Sequence, residues 1–244
     1  MTRMNEFGQP IGDLLPDGWA PPPSPPPRVL EGTRVRVEPI DPALHADDLF
    51  EANRLDQSGE GWTYLGYGPF EDLQAYRTWL ETACTGADPM FWAYVDVASG
   101  KAVGLGSFLR IDPPAGVIEV GHIRFSPKLQ RTAHATEAMY LKMKYVFELG
   151  YRRYEWKCDA LNAPSRRAAE RYGFKFEGIF RQATHYRGRD RDTAWFSVID
   201  SEWPGVRAAH EAWLDPGNFD EQGLQRQSLS QFMPKGDSAV RFNA

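Results

Sequence analysis

A short loop in the middle of the chain could bind an anion. The loop, Gln130 to Ala135, separates a segment typical of a strand, ended by Pro127, from residues 134–149, which are typical of an amphipathic helix. The first N–H groups of a helix have no intrahelical acceptor, and after a loop of small residues they point in the same direction. Arg131 adds a positive charge beside them. This arrangement favours the binding of a phosphate group.

Two side chains on the strand before this loop could accept a proton. One is Glu119, and the other is His122, because an unperturbed imidazole pKa of ~6.5 suits a base at neutral pH. A spacing of three places the two on opposite faces of a regular strand, unless a β-bulge between them changes the alternation. Each also has an ordinary interpretation, as a surface glutamate and as a packed or hydrogen-bonded histidine.

Periodicity and turn residues predict the elements that must position these groups. Because the segments from 90 to 125 are joined by short turns, we expect them to form an antiparallel meander. Strands are predicted at residues 33–39, 90–97, 101–111, 117–125, 153–159, 174–180 and 193–200. Helices are predicted from Pro42, at 71–83, at 134–149, at 163–172 after an Asn162 cap, and after a Ser201 cap.

The loop sequence Gln130-Arg131-Thr132-Ala133-His134-Ala135 resembles the acetyl-CoA signature of the GNAT N-acetyltransferase superfamily, Gln/Arg-x-x-Gly-x-Gly/Ala. Ala133 stands where glycine is usual. The order of predicted elements also matches that superfamily, from about residue 30 to residue 200. The resemblance implies an α/β (α+β) fold with a mixed, mostly antiparallel seven-stranded sheet, splayed at a cofactor cleft and covered by helices on both faces. It also implies acetyl-CoA as co-substrate, a primary amine as acceptor and no metal.

The resemblance further implies roles for individual residues. Backbone amides of the Ile123–Phe125 region would hold the pantetheine and polarise the thioester carbonyl, as an oxyanion hole does. The diphosphate would bind to the loop amides and to Thr136. Glu119, six residues before Phe125, is at the offset of the family's usual general base, and His122 is its rival. The residues expected to bind the diphosphate are Arg131, Thr132, Ala133, His134, Ala135 and Thr136.

The group that protonates the leaving CoA thiolate is harder to assign. Many family members have a tyrosine four residues before a Gly-Phe pair, but here that position is Ala169. The RimJ/RimL-like branch, which acetylates ribosomal-protein N-termini, instead has Asn-x-x-Ser, as in Asn162 to Ser165 of this chain. The resemblance therefore implies Ser165 as the thiolate partner and Asn162 as a pantetheine contact. Both residues would equally suit the start of a helix. Arg166 and Arg167 are expected near the 3′-phosphate of CoA.

Composition limits the other possibilities. The chain has 244 residues, 42% of them hydrophobic, which is enough for one domain with a full core. A net charge of −5 argues against nucleic acid or an anionic membrane as a partner. The two cysteines suggest buried thiols in a reducing compartment, and neither a spanning segment nor a signal pattern is found, so the cytoplasm is expected.

The two ends lie outside the predicted catalytic domain of residues 30–202. Residues 1–29 form a proline-rich arm, interpreted as a stiff spacer whose five apolar side chains pack on the domain, or alternatively as a docking motif for an SH3-like partner. Those side chains are Phe7, Ile11, Leu14, Leu15 and Trp19. Residues 203–244 are interpreted as a helix followed by a polar tail of about 25 residues, and this tail could instead be an arm on a second subunit of a possible homodimer.

Three functions are compatible with these motifs and their order. The first is direct transfer of acetyl to a primary amine, either a small molecule or a protein N-terminus, in a ternary complex. The second is a non-catalytic acyl-CoA-binding or regulatory domain, which Ala133 and the missing tyrosine favour. The third is a scaffold recruited through the proline arm. An aromatic loop at 58–70 is expected to border the acceptor site through Trp62 and Tyr64, although both side chains could instead cover the core.

Overall fold

The computed structural model describes residues 3–235. In this range the helices are α1 Pro42–Asn53, α2 Leu73–Ala83, α3 Ala133–Glu148, α4 Ala163–Arg171, α5 Trp203–Leu214 and α6 Leu229–Phe232. The strands are β1 Arg3–Met4, β2 Pro10–Ile11, β3 Leu30–Glu31, β4 Val35–Pro39, β5 Met90–Asp96, β6 Ala102–Asp112, β7 Val117–Phe125, β8 Arg153–Asp159, β9 Lys175–Tyr186 and β10 Arg189–Ile199. Strands β1 and β2 form a separate hairpin, and the others form one sheet in the order β3-β4-β5-β6-β7-β8-β10-β9.

All seven predicted strands are present, and the two-residue strand β3 adds an eighth at one edge. Every pairing is antiparallel except that of β7 with β8. The prediction of a mixed, mostly antiparallel sheet is therefore confirmed. The hairpin of β9 and β10 is longer than the predicted strands 174–180 and 193–200, because the strand pairing continues up to Tyr186 and Arg189.

The sheet opens between its two parallel strands. Strands β7 and β8 pair over four positions only, from Val117 opposite Arg153 to Val120 opposite Trp156. Beyond them, residues 121–125 have no partner strand on that side within residues 3–235. On the other side of β7, a β-bulge adds one residue between Gly121 and Arg124, where β6 has Ser107 and Leu105. The bulge contains His122, whose φ of 52° lies in the left-handed region.

Helices cover the sheet on both faces, as predicted. The apolar side of α3 packs with α5 over the centre of the sheet, and α1 with α2 covers the opposite face of β5 and β6. Local capping fixes the starts of these helices. The side chains of Asp41, Asp72, Thr132 and Asn162 each accept a hydrogen bond from the first turn that follows. Ser201 does not cap α5, which begins after Glu202 without a side-chain cap.

The proline arm lies on the domain itself. Pro23 and Pro26 are three residues apart, one turn of a polyproline II helix, and their carbonyl oxygens accept hydrogen bonds from the Tyr151 and Tyr145 hydroxyls. Trp19 also packs on the domain, beside Gly116. In this structure the proline-rich segment is thus bound to the domain of the same chain.

The expected packing of the other apolar arm residues is wrong, because they are solvent-exposed. The separate β1–β2 hairpin is held by its own backbone pairing and turn contacts. The exposed residues are Phe7, Ile11, Leu14 and Leu15.

The interpretation of the C-terminal end as a polar tail is also wrong for the part of it that the structure describes, about residues 220–235. A short 3₁₀ helix, Pro216–Asn218, follows α5, and Leu229 of α6 is fully buried in the main core. The Asn218 side chain donates to the carbonyl oxygens of Trp213 and Gln227, which folds the segment back onto α5. The part of the predicted tail that covers residues 236–244 lies outside the described residues.

Candidate functional site

A large cleft follows the opening between β7 and β8. One end of the cleft is bordered by the start of α3, by α4 and by the C-terminal segment, and the other end by the 60–67 loop and the β9–β10 hairpin. The cleft includes all but two of the residues predicted from the sequence to form the site; the exceptions are Trp62 and Arg166.

At the first end, the loop before α3 presents free backbone donors. The N–H groups of Arg131, Thr132, Ala133 and His134 have no protein acceptor within residues 3–235. Thr132 is the N-cap of α3, and its hydroxyl accepts from the Ala135 N–H at 3.3 Å. Four free N–H groups at a helix N-terminus form a favourable site for a diphosphate.

Side chains hold this loop in place against the open strand. The Gln130 amide and the Arg124 guanidinium both donate to the Phe125 carbonyl oxygen, at 2.9 Å and 3.0 Å. This carbonyl lies where β7 has lost its partner strand, so the two donors replace the missing sheet hydrogen bonds. Arg131 adopts a left-handed φ of 60° and is exposed, free to meet an anion. The His134 side chain has a partner outside the loop, with Nε2 at 3.2 Å from Asp96.

The cations near this loop differ in part from those expected. Arg167 lines the cleft, whereas Arg166 does not, because its guanidinium donates to the Ala160 carbonyl oxygen and lies over the Phe176 ring. Arg171, which the sequence patterns did not single out, donates to the Thr136 hydroxyl at 3.0 Å and lines the cleft. Its position at the last turn of α4 gave no signal in the sequence.

The C-terminal segment closes the same end of the cleft. Trp213, Phe219 and residues 223–225 line it. Arg34, which directly precedes β4, lies over the Phe219 ring and donates to the Leu214 carbonyl oxygen at 3.2 Å. This wall could not be found from the sequence, since the segment lacks an apolar pattern.

Glu119 lies in the cleft wall as part of a charged network. Its Oε2 is 2.6 Å from the Arg110 guanidinium and 2.9 Å from the Lys157 ammonium. Lys157 also contacts Glu155 at 2.7 Å. The carboxylate is almost fully buried. It thus lies between two cations, which share one of its oxygens.

His122 lies on the same face of the sheet as Glu119, because the bulge shifts the alternation. The His122 ring stacks on Tyr67 and packs against Phe91. Glu119 occupies space next to Gly121 that a larger side chain at position 121 would restrict. Burial, and to a smaller extent nearby cations, lower the pKa of His122 to about 4, so the imidazole is neutral at neutral pH. The Tyr67 hydroxyl is 3.3 Å from Nδ1.

Ser165 and Asn162 both border the cleft at the start of α4, as the resemblance implied. The Asn162 side chain accepts from the Ser165 N–H at 3.1 Å and is the N-cap of the helix. The Ser165 hydroxyl accepts from Trp156 Nε1 at 3.0 Å, which leaves its own hydrogen available. Tyr172, near the end of α4, is buried but also lines the cleft.

The expectation that Trp62 contacts the acceptor is wrong. Its ring is buried in the cluster under α1 and α2, against Phe70 and the Arg124 guanidinium, and it does not line the cleft. Arg124 in turn pairs with Asp56 at 2.9 Å, and this pair ties the loop to β7. Trp62 therefore supports the loop from the core side and does not reach the cleft.

Tyr64, by contrast, lines the cleft and crosses it. Its hydroxyl donates to the Leu161 carbonyl oxygen at 3.2 Å, in the loop between β8 and α4. A second bridge comes from Arg187 at the tip of the β9–β10 hairpin, which donates to the carbonyl oxygens of Leu65 and Tyr67. The two bridges narrow this end of the cleft.

Across residues 3–235 there is no group of three or more His, Cys, Asp or Glu side chains that could hold a metal ion. In the same range, every helix is too short or too polar to span a bilayer.

Comparison with known proteins identifies the family. The family model described as "Acetyltransferase (GNAT) domain" matches residues 34–175. A GCN5-related N-acetyltransferase from Brucella melitensis is 49% identical, with a TM-score of 0.86 over 88% of this chain and 98% of that chain. A protein described as a probable acetyltransferase of the GNAT family, from Chromobacterium violaceum, is 41% identical, with a TM-score of 0.73 over 80% and 99% of the two chains. The chain therefore belongs to the GNAT acetyltransferase family, and its fold is the GNAT fold.

A curated relative covers less of the chain. The uncharacterized N-acetyltransferase YnaD of Bacillus subtilis is 28% identical over 86 residues, which are 35% of this chain. The alignment spans 50% of that relative's length. Family membership supports an acyltransferase, whereas the choice of acceptor depends on the residues of the site.

Proposed function

We propose that this chain transfers the acetyl group of acetyl-CoA directly to a primary amine in a ternary complex. One observation carries the proposal. The free amides before α3 and the two candidate bases of β7 lie in a single cleft, which runs along the unpaired part of β7. A CoA thioester bound by its diphosphate at one end would have its acyl group at the other.

The residues fit the coenzyme. Four free N–H groups with Arg131 and Arg171 beside them suit the diphosphate. Ala133 replaces the usual glycine, but it is the first residue of α3, a position that any L-residue adopts without strain. Acetyl-CoA would supply an activated acyl group with a thiolate as leaving group.

The open edge of β7 would stabilise the reaction. Negative charge develops on the thioester oxygen as the amine attacks, and fixed N–H donors from Ile123 to Phe125 would stabilise it there. We propose His122 as the group that accepts the amine proton, because it is neutral and faces the cleft, while Glu119 is already paired with two cations. The Ser165 hydroxyl, with its hydrogen available, would donate to the leaving thiolate.

The bridges across the cleft favour a small acceptor over a protein N-terminus. A peptide would have to pass the contacts that Tyr64 and Arg187 make across the opening. The spacing from Asn162 to Ser165 still supports a place in the RimJ/RimL-like branch, so a ribosomal-protein N-terminus is the second candidate acceptor.

The quaternary state and location also remain proposals. A homodimer is supported by β9, an outermost strand whose side chains are largely exposed. The cytoplasm is supported by two buried, unpaired cysteines.

Calorimetry with acetyl-CoA, followed by a thiol-release assay over a panel of amines, tests the function. We expect binding and release of CoA with at least one class of amine. Binding without release for every amine would support the non-catalytic alternative, and no binding at millimolar concentration would contradict both.

A matched pair of variants tests the position of the coenzyme. Arg171→Gln should weaken acetyl-CoA binding about tenfold, because a charge-assisted contact with phosphate is lost. Arg166→Gln, on the same helix but turned out of the cleft, should leave binding unchanged. Equal effects of the two variants would contradict the assignment of the diphosphate site.

A further inference from the structure

The acceptor end of the cleft has a partly buried cation, Arg191, that no carboxylate neutralises within residues 3–235. Three cations of the charged network, Arg110, Arg153 and Lys157, are matched by three carboxylates, Glu119, Glu155 and Glu177, through contacts of 2.9 Å or less. This part of the wall is therefore electrically balanced.

Arg191 lies on β10, across the cleft from β7, and lines the cleft. Within the described residues its guanidinium has no carboxylate within 4.0 Å, and its Nε is buried without a hydrogen-bond partner. The neighbouring carboxylates have other partners: Asp159 accepts from the Tyr186 hydroxyl at 2.8 Å and Asp192 from the Gln182 N–H at 2.7 Å.

A second unsatisfied donor lies on the same wall. The Nε1 of Trp195, also on β10, is buried without a partner in the described part of the chain, and its indole lines the cleft. The Trp195 ring is fixed by stacking on Phe180 and by the Lys157 ammonium, 3.7 Å from its centroid. A buried donor without an acceptor is costly, so two of them along one wall of a cleft indicate that a ligand satisfies them.

The ligand group must be an anion or an acceptor-rich polar group, since both donors are N–H groups and one carries a full charge. An ammonium here would be repelled by Arg191. Because the bridges made by Tyr64 and Arg187 restrict the space, the anion has to belong to a small molecule.

We propose that the acceptor is a small amino-carboxylate, whose primary amine approaches His122 while its carboxylate binds Arg191. This inference rests on the proposed acetyl transfer and names the acceptor class for the same site. Under this proposal the side chains of β10 determine which acceptor binds, while β7 and the loop before α3 bind the coenzyme.

Matched acceptors test the proposal. An α-amino acid, its carboxamide and the amine that remains after decarboxylation share the reacting group and differ at the carboxylate. The kcat/KM for the amino acid, calculated on the neutral amine, should exceed that of the other two by about 10- to 100-fold, the contribution of one charge-assisted pair. Equal values for the three would overturn the proposal, while acetyl transfer itself would stand.

Variants of β10 locate the effect. Arg191→Gln should lower kcat/KM for the amino acid by the same factor, mainly through KM, and leave the carboxamide unaffected; Arg191→Lys should restore part of the loss. Arg189→Gln is the matched control, because Arg189 is exposed on the same strand and does not line the cleft. If Arg191→Gln instead raised the dissociation constant of acetyl-CoA, Arg191 would belong to the coenzyme site and the proposal would be wrong.

A binding measurement separates this inference from turnover. Calorimetry in the presence of CoA should show the N-acetyl amino acid binding to the wild type about tenfold or more tightly than its carboxamide, and Arg191→Gln should abolish the difference. Failure of all amines to release CoA would count against the proposed function, whereas absence of a carboxylate preference in binding would overturn the inference alone.

Discussion

The proposed role of His122 makes a prediction about pH. Burial between Tyr67 and Phe91 lowers its pKa to about 4, and the cations Arg110, Lys142 and Arg191 act in the same direction. At a pH of about 6.5 an ordinary histidine is half protonated, whereas a group with a pKa of about 4 is protonated in roughly one molecule in 300. The imidazole should thus remain in its neutral form, with a free lone pair, well into the acid range.

The assay is thiol release at saturating acetyl-CoA, with kcat/KM calculated on the neutral fraction of the amine. For the wild type we expect a flat profile from about pH 8 to about pH 5.5 and a fall only below about pH 5. His122→Phe keeps the aromatic packing but removes the ring nitrogens, and should lower the plateau by roughly 10²- to 10³-fold. Near-UV circular dichroism at each pH would show that the fold persists.

Two results would refute this reasoning. An inflection near pH 6.5 that His122→Phe removes would mean that the imidazole titrates as if it were in water, against its burial. An unchanged rate in His122→Phe would mean that the proton passes elsewhere, and Glu119 would be the first residue to examine.

Three further predictions concern buried groups outside the reacting centre. Lys142 is fully buried without a hydrogen-bond partner among the described residues, and burial lowers its pKa, so the unfolded chain binds more protons than the folded one and wild-type stability rises with pH up to the unfolded pKa. Lys142→Met should raise the free energy of unfolding by roughly 1–4 kcal/mol near neutral pH and remove this pH dependence. Urea unfolding curves that are the same at about pH 7 and pH 9 for both proteins would contradict this. His210 is buried and its pKa is lowered to about 4, so it binds fewer protons in the folded chain than in the unfolded chain. Between about pH 7.5 and pH 5 the wild type should lose about 2 kcal/mol of unfolding free energy that His210→Phe does not lose. Parallel curves of stability against pH for the two proteins would argue against this. Leu229→Ala should cost roughly 2–5 kcal/mol in unfolding free energy and weaken acetyl-CoA binding, because the C-terminal segment lines the cleft; a tail without contacts would change neither.

Local chemistry explains why much of the fold could be predicted. The N-caps Thr132 and Asn162, and the turns between β5, β6 and β7, act through contacts a few residues away, so their signal is in the sequence itself. The predicted strand bounds are within a few residues of those observed, apart from the long β9–β10 hairpin.

The parts that could not be predicted depend on distant contacts. The Trp62 ring lies against the Arg124 guanidinium and against Gly68. Neither contact follows a helix or strand periodicity, so the sequence pattern could not show that Trp62 faces the core. The bulge at His122 places a non-glycine residue in the left-handed region, which no residue preference indicates. The C-terminal segment is anchored mainly by Leu229, too sparse a pattern to predict packing.

The charged network of the cleft wall complicates any interpretation of Glu119 variants. Removing one partner of a buried ion pair leaves the other charge uncompensated, which is more costly than the pair itself. Glu119→Gln would leave Lys157 with Glu155 alone and the Arg110 guanidinium without its carboxylate, so a loss of activity could follow from a disturbed wall without any loss of a base. The double variant Glu119→Gln with Lys157→Met removes charges of both signs and leaves Glu155 paired with Arg153. If the double variant regains activity, Glu119 has a structural role in the cleft wall. If activity remains lost, Glu119 takes part in the reaction, as a base.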